Sequence, residues 1–319
     1  MGSVLDNLVF SITVVFPTFV LVFLGYLAAR LHVVDRAFTS KLNRICFTYF
    51  LSVRLYLDIT STGLESLKNW KLSGFVLAAT LLVYALLWAV ARRFVKPREN
   101  VGTFVHVGFR SSFTVLGLSM VRNMAGEDGV AHCAGILALA AILYNILAVL
   151  CFIGNNREQS RTDVVKGALR KIATNPLIIA VVLAILSELC SFSLPALMRS
   201  PLETLAGAAV PISLLCVGAA LDIQSLRSCG KTAVLAAVTK TFLQAILVLP
   251  FAVFCGFRGV ELAALSILFT TANPSACYVM TESMGGNSSL AAASVVFSTL
   301  LSVFSTTLGL YVLRSLGFI

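Results

Sequence analysis

Residues 269–298 read FTTANPSACYVMTESMGGNSSLAAASVVFS. The stretch is apolar, carries a single charge at Glu282, and is interrupted by Asn273-Pro274. Pro274 has no backbone donor and its ring clashes with the preceding turn, so a helix ends or kinks there. The same pattern lies 160 residues earlier: FRSSFT (109–114) falls on FTTANP (269–274), and NMAGEDGVAHCAGILA (123–138) on SMGGNSSLAAASVVFS (283–298). Gly126 then matches Gly286, and at a shift of 159 Pro17 matches Pro176. Several matches at nearly one offset indicate that the two halves arose by duplication.

Composition identifies the medium. Of 319 residues, 58% are hydrophobic and 12% charged, whereas a soluble domain carries about 25% charged residues. Too little polar surface exists to coat a globule of this size. A soluble enzyme, a disordered chain and a disulfide scaffold are excluded, and a multi-pass membrane protein remains. A spanning helix takes about 20 apolar residues, so ten take about 200.

Uncharged runs mark the spans. They lie between Asp6 and Arg30, Lys71 and Arg92, Asp128 and Arg157, Lys171 and Glu188, Glu203 and Asp222, Lys240 and Arg258, Glu261 and Glu282, and Glu282 and Arg314. The eighth begins near Lys231 and so contains Lys240. Two more carry an internal cation: Leu42–Thr60 with Arg54, and Val101–Met124 with Arg110. Ten spans result. The first, Asn7–Ala29, is preceded by Asp6 and not by a basic segment, so it reads as a retained helix and not as a signal peptide.

Fifteen Lys and Arg fall in alternate loops, six in the others, and three inside spans. This bias places both termini outside and the loop 157–171 in the cytoplasm. That loop separates a first five-helix half, 1–156, from a second, 172–319. Five spans per half is an odd number, so the halves enter the membrane with opposite orientation and form an inverted repeat. The net charge of +10 follows from these helix-end cations and does not point to nucleic acid. The eight cysteines have no CxxC or metal-ligand spacing and read as small core residues.

The candidate site follows from the fourth and ninth spans. Both place small polar residues at mid-depth: Arg110, Ser111, Ser112 and Thr114 in one, and Asn273, Pro274 and Ser275 in the other, with Thr270 and Thr271 beside them. Corresponding interrupted spans in two halves point to a transport site, whose half-helix N-termini face an anion. Arg110 could balance a substrate carboxylate or serve as a structural arginine. Lys240 could be an ion-pair partner or stand in for a coupling cation. Tyr144 and Asn145, midway along the fifth span, are cavity candidates, and Pro211 with Ser213 either interrupts the seventh or forms a kink with polar helix–helix contacts. Arg54 and Asp58 read as an i,i+4 pair near the outer surface. No acidic residue lies mid-span, and His32, His106 and His132 form no catalytic pattern. An enzyme is therefore disfavoured, and no cofactor is called for beyond a coupling proton or sodium ion.

Several segments carry a family resemblance: FPTFVLVFLGYLAAR (16–30), Asn175-Pro176, LPALMRSPLETLAGAAVPISLLCVGAAL (194–221), TKTFLQAILVLP (239–250) and, most specifically, TANPSACYVMTESMGGNSSLAAASVVFSTLLSVFSTTLGL (271–310). Together they resemble the auxin efflux carrier family, which includes plant auxin exporters and bacterial malonate-transporter-like proteins. The resemblance implies an all-α membrane fold of ten helices in two inverted five-helix repeats, of the bile-acid-symporter and NhaA type, with broken helices 4 and 9 crossing at the site. It implies a scaffold of spans 1, 2, 6 and 7, a transport part of spans 3–5 and 8–10, elevator-like movement, and small organic anions such as indole acetate or malonate as substrates. It also implies a scaffold that can pair into a homodimer. The chain departs from the family pattern at Ser112, where an asparagine is usual, and at Gly117, Leu118 and Ser119, which lack the usual proline. The short loop 157–171 favours a bacterial-type member. The rivals are a carrier-like receptor, an intramembrane enzyme acting on lipid and a sodium-coupled symporter.

Overall fold

The computed structural model describes residues 16–17, 20–62, 69–113, 121, 124–126, 129, 133–153, 173–221 and 223–319. The loop 157–171 and Thr114 lie outside these residues. Among those described, the fold is all-helical with no strands.

Helix α1, Val20–Arg30, comes first. It is followed by α2, Arg36–Ile45, which runs through a π-turn at Cys46–Phe50 into α3, Leu51–Thr62. Next come α4, Trp70–Phe94; α5, Asn100–Phe109; and α6, Ala134–Ile153. The second half has α7, Pro176–Leu189, and α8, Ala196–Ala220. There, α9, Ile223–Val238, passes through a π-turn at Thr239–Leu243 into α10, Gln244–Phe254. The chain closes with α11, Gly259–Thr270; α12, Ala276–Ser283; and α13, Ser288–Ser315.

Local chemistry explains the starts. Asp35 accepts from the Phe38 amide at 2.6 Å and opens α2. The Asn69 side chain caps α4 at the Leu72 amide, and Asn287 caps α13 at the Leu290 amide. Asn175 caps α7 through the Leu177 amide at 2.9 Å, with Pro176 in the first turn. There a missing N–H costs nothing, and proline's fixed φ favours the helix.

Among the described residues, four helices are long and apolar enough to cross a bilayer: Trp70–Phe94, Ala196–Ala220, Gly230–Phe254 and Ser288–Ser315. Twenty-five residues at about 1.5 Å each exceed a hydrocarbon thickness of about 30 Å. Val20–Arg30, Ile142–Phe152, Pro176–Leu189 and Gly259–Thr270 are shorter apolar helices. Large apolar side chains stand exposed along these elements, among them Leu82, Leu183, Ile246, Phe254 and Phe304. Such surfaces suit lipid and not water.

Two of the short helices, α5 and α11, are the buried ones. Every residue of α5 is buried, as is α11 from Leu262 to Thr270. Lipid tolerates an interrupted helix only where protein or a watery cavity surrounds the break, and both interruptions sit at the ends of these two helices.

Two boundaries differ from the sequence expectation. The seventh span is not interrupted: α8 runs unbroken through Pro211, and the helix is held by its packing against its neighbours through buried Ala209, Ser213 and Leu214. The helix also starts at Ala196, ahead of Glu203. Arg199 and Glu203 form an exposed ion pair at 2.7 Å there, at a helix end where charge is cheap.

Helices α1 and α8 meet backbone to backbone. A Cβ at Gly218 would lie 1.9 Å from the Val22 carbonyl oxygen, and one at Gly25 would lie 2.1 Å from that of Leu215. Small residues allow this approach, a common mode of helix pairing in membranes. Gly218→Ala is therefore expected to lower stability by about 1–3 kcal/mol. Gly207→Ala, on the same helix with nothing within 4 Å of the new methyl, should not. Thermal unfolding in detergent compares the two.

Candidate functional site

Two chain breaks build the site. Helix α5 stops at Phe109, and Arg110 turns extended, with φ −71° and ψ 147°. Helix α11 stops at Thr270, Thr271 is extended with φ −68° and ψ 157°, and α12 begins only at Ala276. Serine and threonine hydroxyls compete for backbone partners and weaken a helix. Proline at 274 completes the second break.

The breaks cross and satisfy each other. The Ser112 amide donates to the Ala272 carbonyl at 2.8 Å. The Ser111 and Thr271 hydroxyls are 2.6 Å apart. Side chains from α13 take further freed groups: Ser298 Oγ accepts from the Asn273 amide at 3.0 Å, and Ser305 Oγ donates to the Thr270 carbonyl at 2.9 Å. Ser275 is joined to Ser213 of α8 at 2.5 Å. Backbone freed by the interruptions is thus re-paired inside protein.

A cavity of about 150 Å³ opens at this crossing. It is small against the roughly 300–1,000 Å³ that drug-sized ligands occupy, and suits a compact ligand. Arg110, Ser111, Ser112, Tyr144, Asn145, Asn273, Pro274 and Ser275 all line it. Lys240 does not; it lies behind the crossing. Thr114 is outside the described residues.

Arg110 is the cavity's buried cation, 6% exposed. Its Nη2 donates to Asn145 Oδ1 at 3.2 Å and its Nη1 meets Met280 Sδ at 3.2 Å, while Nε has no partner among the described residues. Both acceptors are neutral, so no acid cancels its charge through them. Asn273 is 3% exposed, and neither Oδ1 nor Nδ2 of its amide has a partner among the described residues. Native structures rarely leave buried amides unbonded, because each unmade hydrogen bond costs about 1–3 kcal/mol.

Sequence reasoning missed one pair. Arg54 Nε bonds both Asp58 oxygens, at 2.9 and 3.0 Å. The i,i+4 pairing is as expected, but both residues line the cavity and do not merely decorate the outer surface. Two charges inside one span were the available signal. With Arg54, Asp58 and Arg110, the described lining carries one net positive charge, which favours an anion. A separate open depression of about 740 Å³ includes Lys41, Arg44, Asn43, Thr174 and Glu282.

A largely apolar chain, all-helical over its described residues, with crossed breaks around a buried cationic cavity, defines a membrane protein. The family model described as "Membrane transport protein" matches residues 10–310. The chain belongs to that family, in agreement with its resemblance to auxin efflux carriers. A protein of Rhizobium meliloti (strain 1021) named "Putative malonate transporter" is 24% identical over 309 residues, covering 94% of this chain and 95% of its own.

Replacing Asn145 by leucine removes an acceptor from a buried guanidinium. The expected cost is about 1–3 kcal/mol, read as a lower unfolding midpoint in detergent. Asn145→Asp, which keeps an acceptor beside Arg110, should lose less.

Proposed function

We propose that this membrane transport protein is a secondary carrier of small organic anions, with the carboxylate held at the crossing between Arg110, Ser112 and Asn273. The observation that carries this reading is the buried Asn273 side-chain amide, which has no partner among the described residues, in a cavity shared with the Arg110 guanidinium, whose partners Asn145 and Met280 are neutral. A carboxylate would satisfy both, and charge-assisted bonds of this kind are the strong ones. Ser111, Ser275, Tyr144 and Asn145 complete the lining, with Pro274 keeping the backbone open.

In this reading the chain has two inverted five-helix repeats, 1–156 and 172–319, joined by the cytoplasmic linker 157–171, with both termini outside the cell membrane. Contacts between repeat-equivalent residues support it. Ser111 and Thr271, and likewise Ser112 and Ala272, differ by the 160 positions of the internal repeat and touch each other. Equivalent points of two inverted halves meet only beside the axis that relates them. Alternating access is then an elevator-like movement of the part that bears the breaks, against a scaffold able to pair into a homodimer. The name of the rhizobial relative makes malonate-like dicarboxylates the first substrates to test, and auxin-like monocarboxylates the second. Membrane potential, or a proton or sodium gradient, would drive the movement.

The test is uptake by purified protein in sealed liposomes, with labelled mono- and dicarboxylates and each gradient varied separately. Saturable flux of an anion is expected. Asn273→Ala should lower it about ten- to a hundredfold, the equivalent of one hydrogen bond to a charged group, whereas Arg199→Ala in the exposed ion pair should leave it unchanged. Folded protein that moves no anion under any gradient would overturn the carrier reading and favour a receptor.

A further inference from the structure

Lys240 stands on the π-turn Thr239–Leu243 and is fully buried. Its Nζ donates to the Leu268 carbonyl at 3.2 Å and to Gln244 Oε1 at 3.3 Å. Gln244 in turn donates through Nε2 to the Gly108 carbonyl. The two carbonyls are not arbitrary. Leu268 lies in the last turn of α11 and Gly108 in the last turn of α5, where carbonyls lose their intrahelical partners. The chain after the first break confirms it: the Ser112 amide, four residues past Gly108, goes to Ala272. Gly108 and Leu268 are also separated by the 160 positions of the internal repeat.

One ammonium, through one amide, therefore ties together the carbonyl ends of both interrupted helices. Those ends carry the partial negative charge of the helix dipoles. In secondary carriers with broken helices, such carbonyl ends are where a coupling sodium ion or proton is held. The oxygens that Lys240 meets are neutral, which is the oxygen chemistry a hard cation also selects. Its position outside the cavity separates it from substrate.

We infer that the Lys240 ammonium is a built-in substitute for the metal cation that would otherwise hold the crossed breaks together, so that transport needs no sodium. Lys240 is a positioning residue: it acts through the helix ends and does not touch the anion. The inference rests on the carrier reading for its transport consequence, but its structural half stands apart from any flux. Removing the side chain leaves a buried pocket edged by the Leu268 carbonyl and the Gln244 amide oxygen. That pocket should accept a small cation from solution.

The experiment uses the full-length protein in detergent and in liposomes, with sodium, lithium, ethylammonium or the bulky choline as the cation. Wild type should show the same unfolding temperature and the same anion uptake in sodium as in choline. Lys240→Ala in choline should lose uptake about tenfold or more, the scale on which supporting partners of an ion site act, and should unfold at lower temperature. Sodium or ethylammonium should raise both again. Lys240→Met, which fills the space with an apolar chain, should be impaired and insensitive to every cation. Gln244→Leu, which leaves Lys240 in place, provides a second route should Lys240→Ala not fold: it should weaken uptake without creating a cation response. Sodium-dependent uptake by wild type overturns the inference, as does folded Lys240→Ala that equals wild type in choline or ignores every cation. If wild type moves no anion, the carrier reading fails instead, and the unfolding temperatures still decide whether the site takes a cation.

Discussion

Backbone polar groups inside a bilayer have no water to bond, and this constraint governs the fold. Two helices that stop inside the protein release amides and carbonyls, and each unmet group would cost kilocalories. The protein meets the cost by crossing the breaks, so that Ser112 bonds Ala272 and Ser111 bonds Thr271. Serines of α13 and the Lys240–Gln244 pair take much of the remainder. Burial of α5 and α11 on all sides keeps lipid away from the crossing.

The same crossing separates function from structure. Most freed backbone groups are paired, but the side-chain amide of Asn273 has no partner among the described residues, and the partners of Arg110 there, Asn145 and Met280, are neutral. Leaving those groups short of partners costs stability. On the carrier reading proposed above, an anion that completes them recovers that cost by pre-organisation. On the other side of the crossing the carbonyl ends are already engaged, by an ammonium that belongs to the chain.

Much of this was legible in the sequence. The Asn273-Pro274 interruption, the 160-residue offset and the scarcity of charge specified helices, a break and its location. The break after Phe109 occurs without any proline, because Ser111 and Ser112 find better partners across the crossing than along their own helix. Span limits were harder to read: charges at Arg199 and Glu203 lie within α8, since helix ends reach beyond the apolar region. Which way a charged side chain points was not legible. Spans as uniformly apolar as these have little amphipathic contrast, so the sequence could not distinguish an Arg54–Asp58 pair facing the cavity from one facing outward. Nor could it send Lys240 behind the crossing instead of into the cavity. Thr114 stays outside the described residues, as does the linker 157–171.

The most direct test is a structure of the full-length protein, determined in lipid with a transported dicarboxylate bound. The expected density lies at the crossing, with one carboxylate within hydrogen-bond distance of the Asn273 amide and the Arg110 guanidinium. Density that instead occupies the depression beside Lys41, Arg44 and Glu282, with Asn273 left unbonded, would contradict a binding site built from the two broken helices.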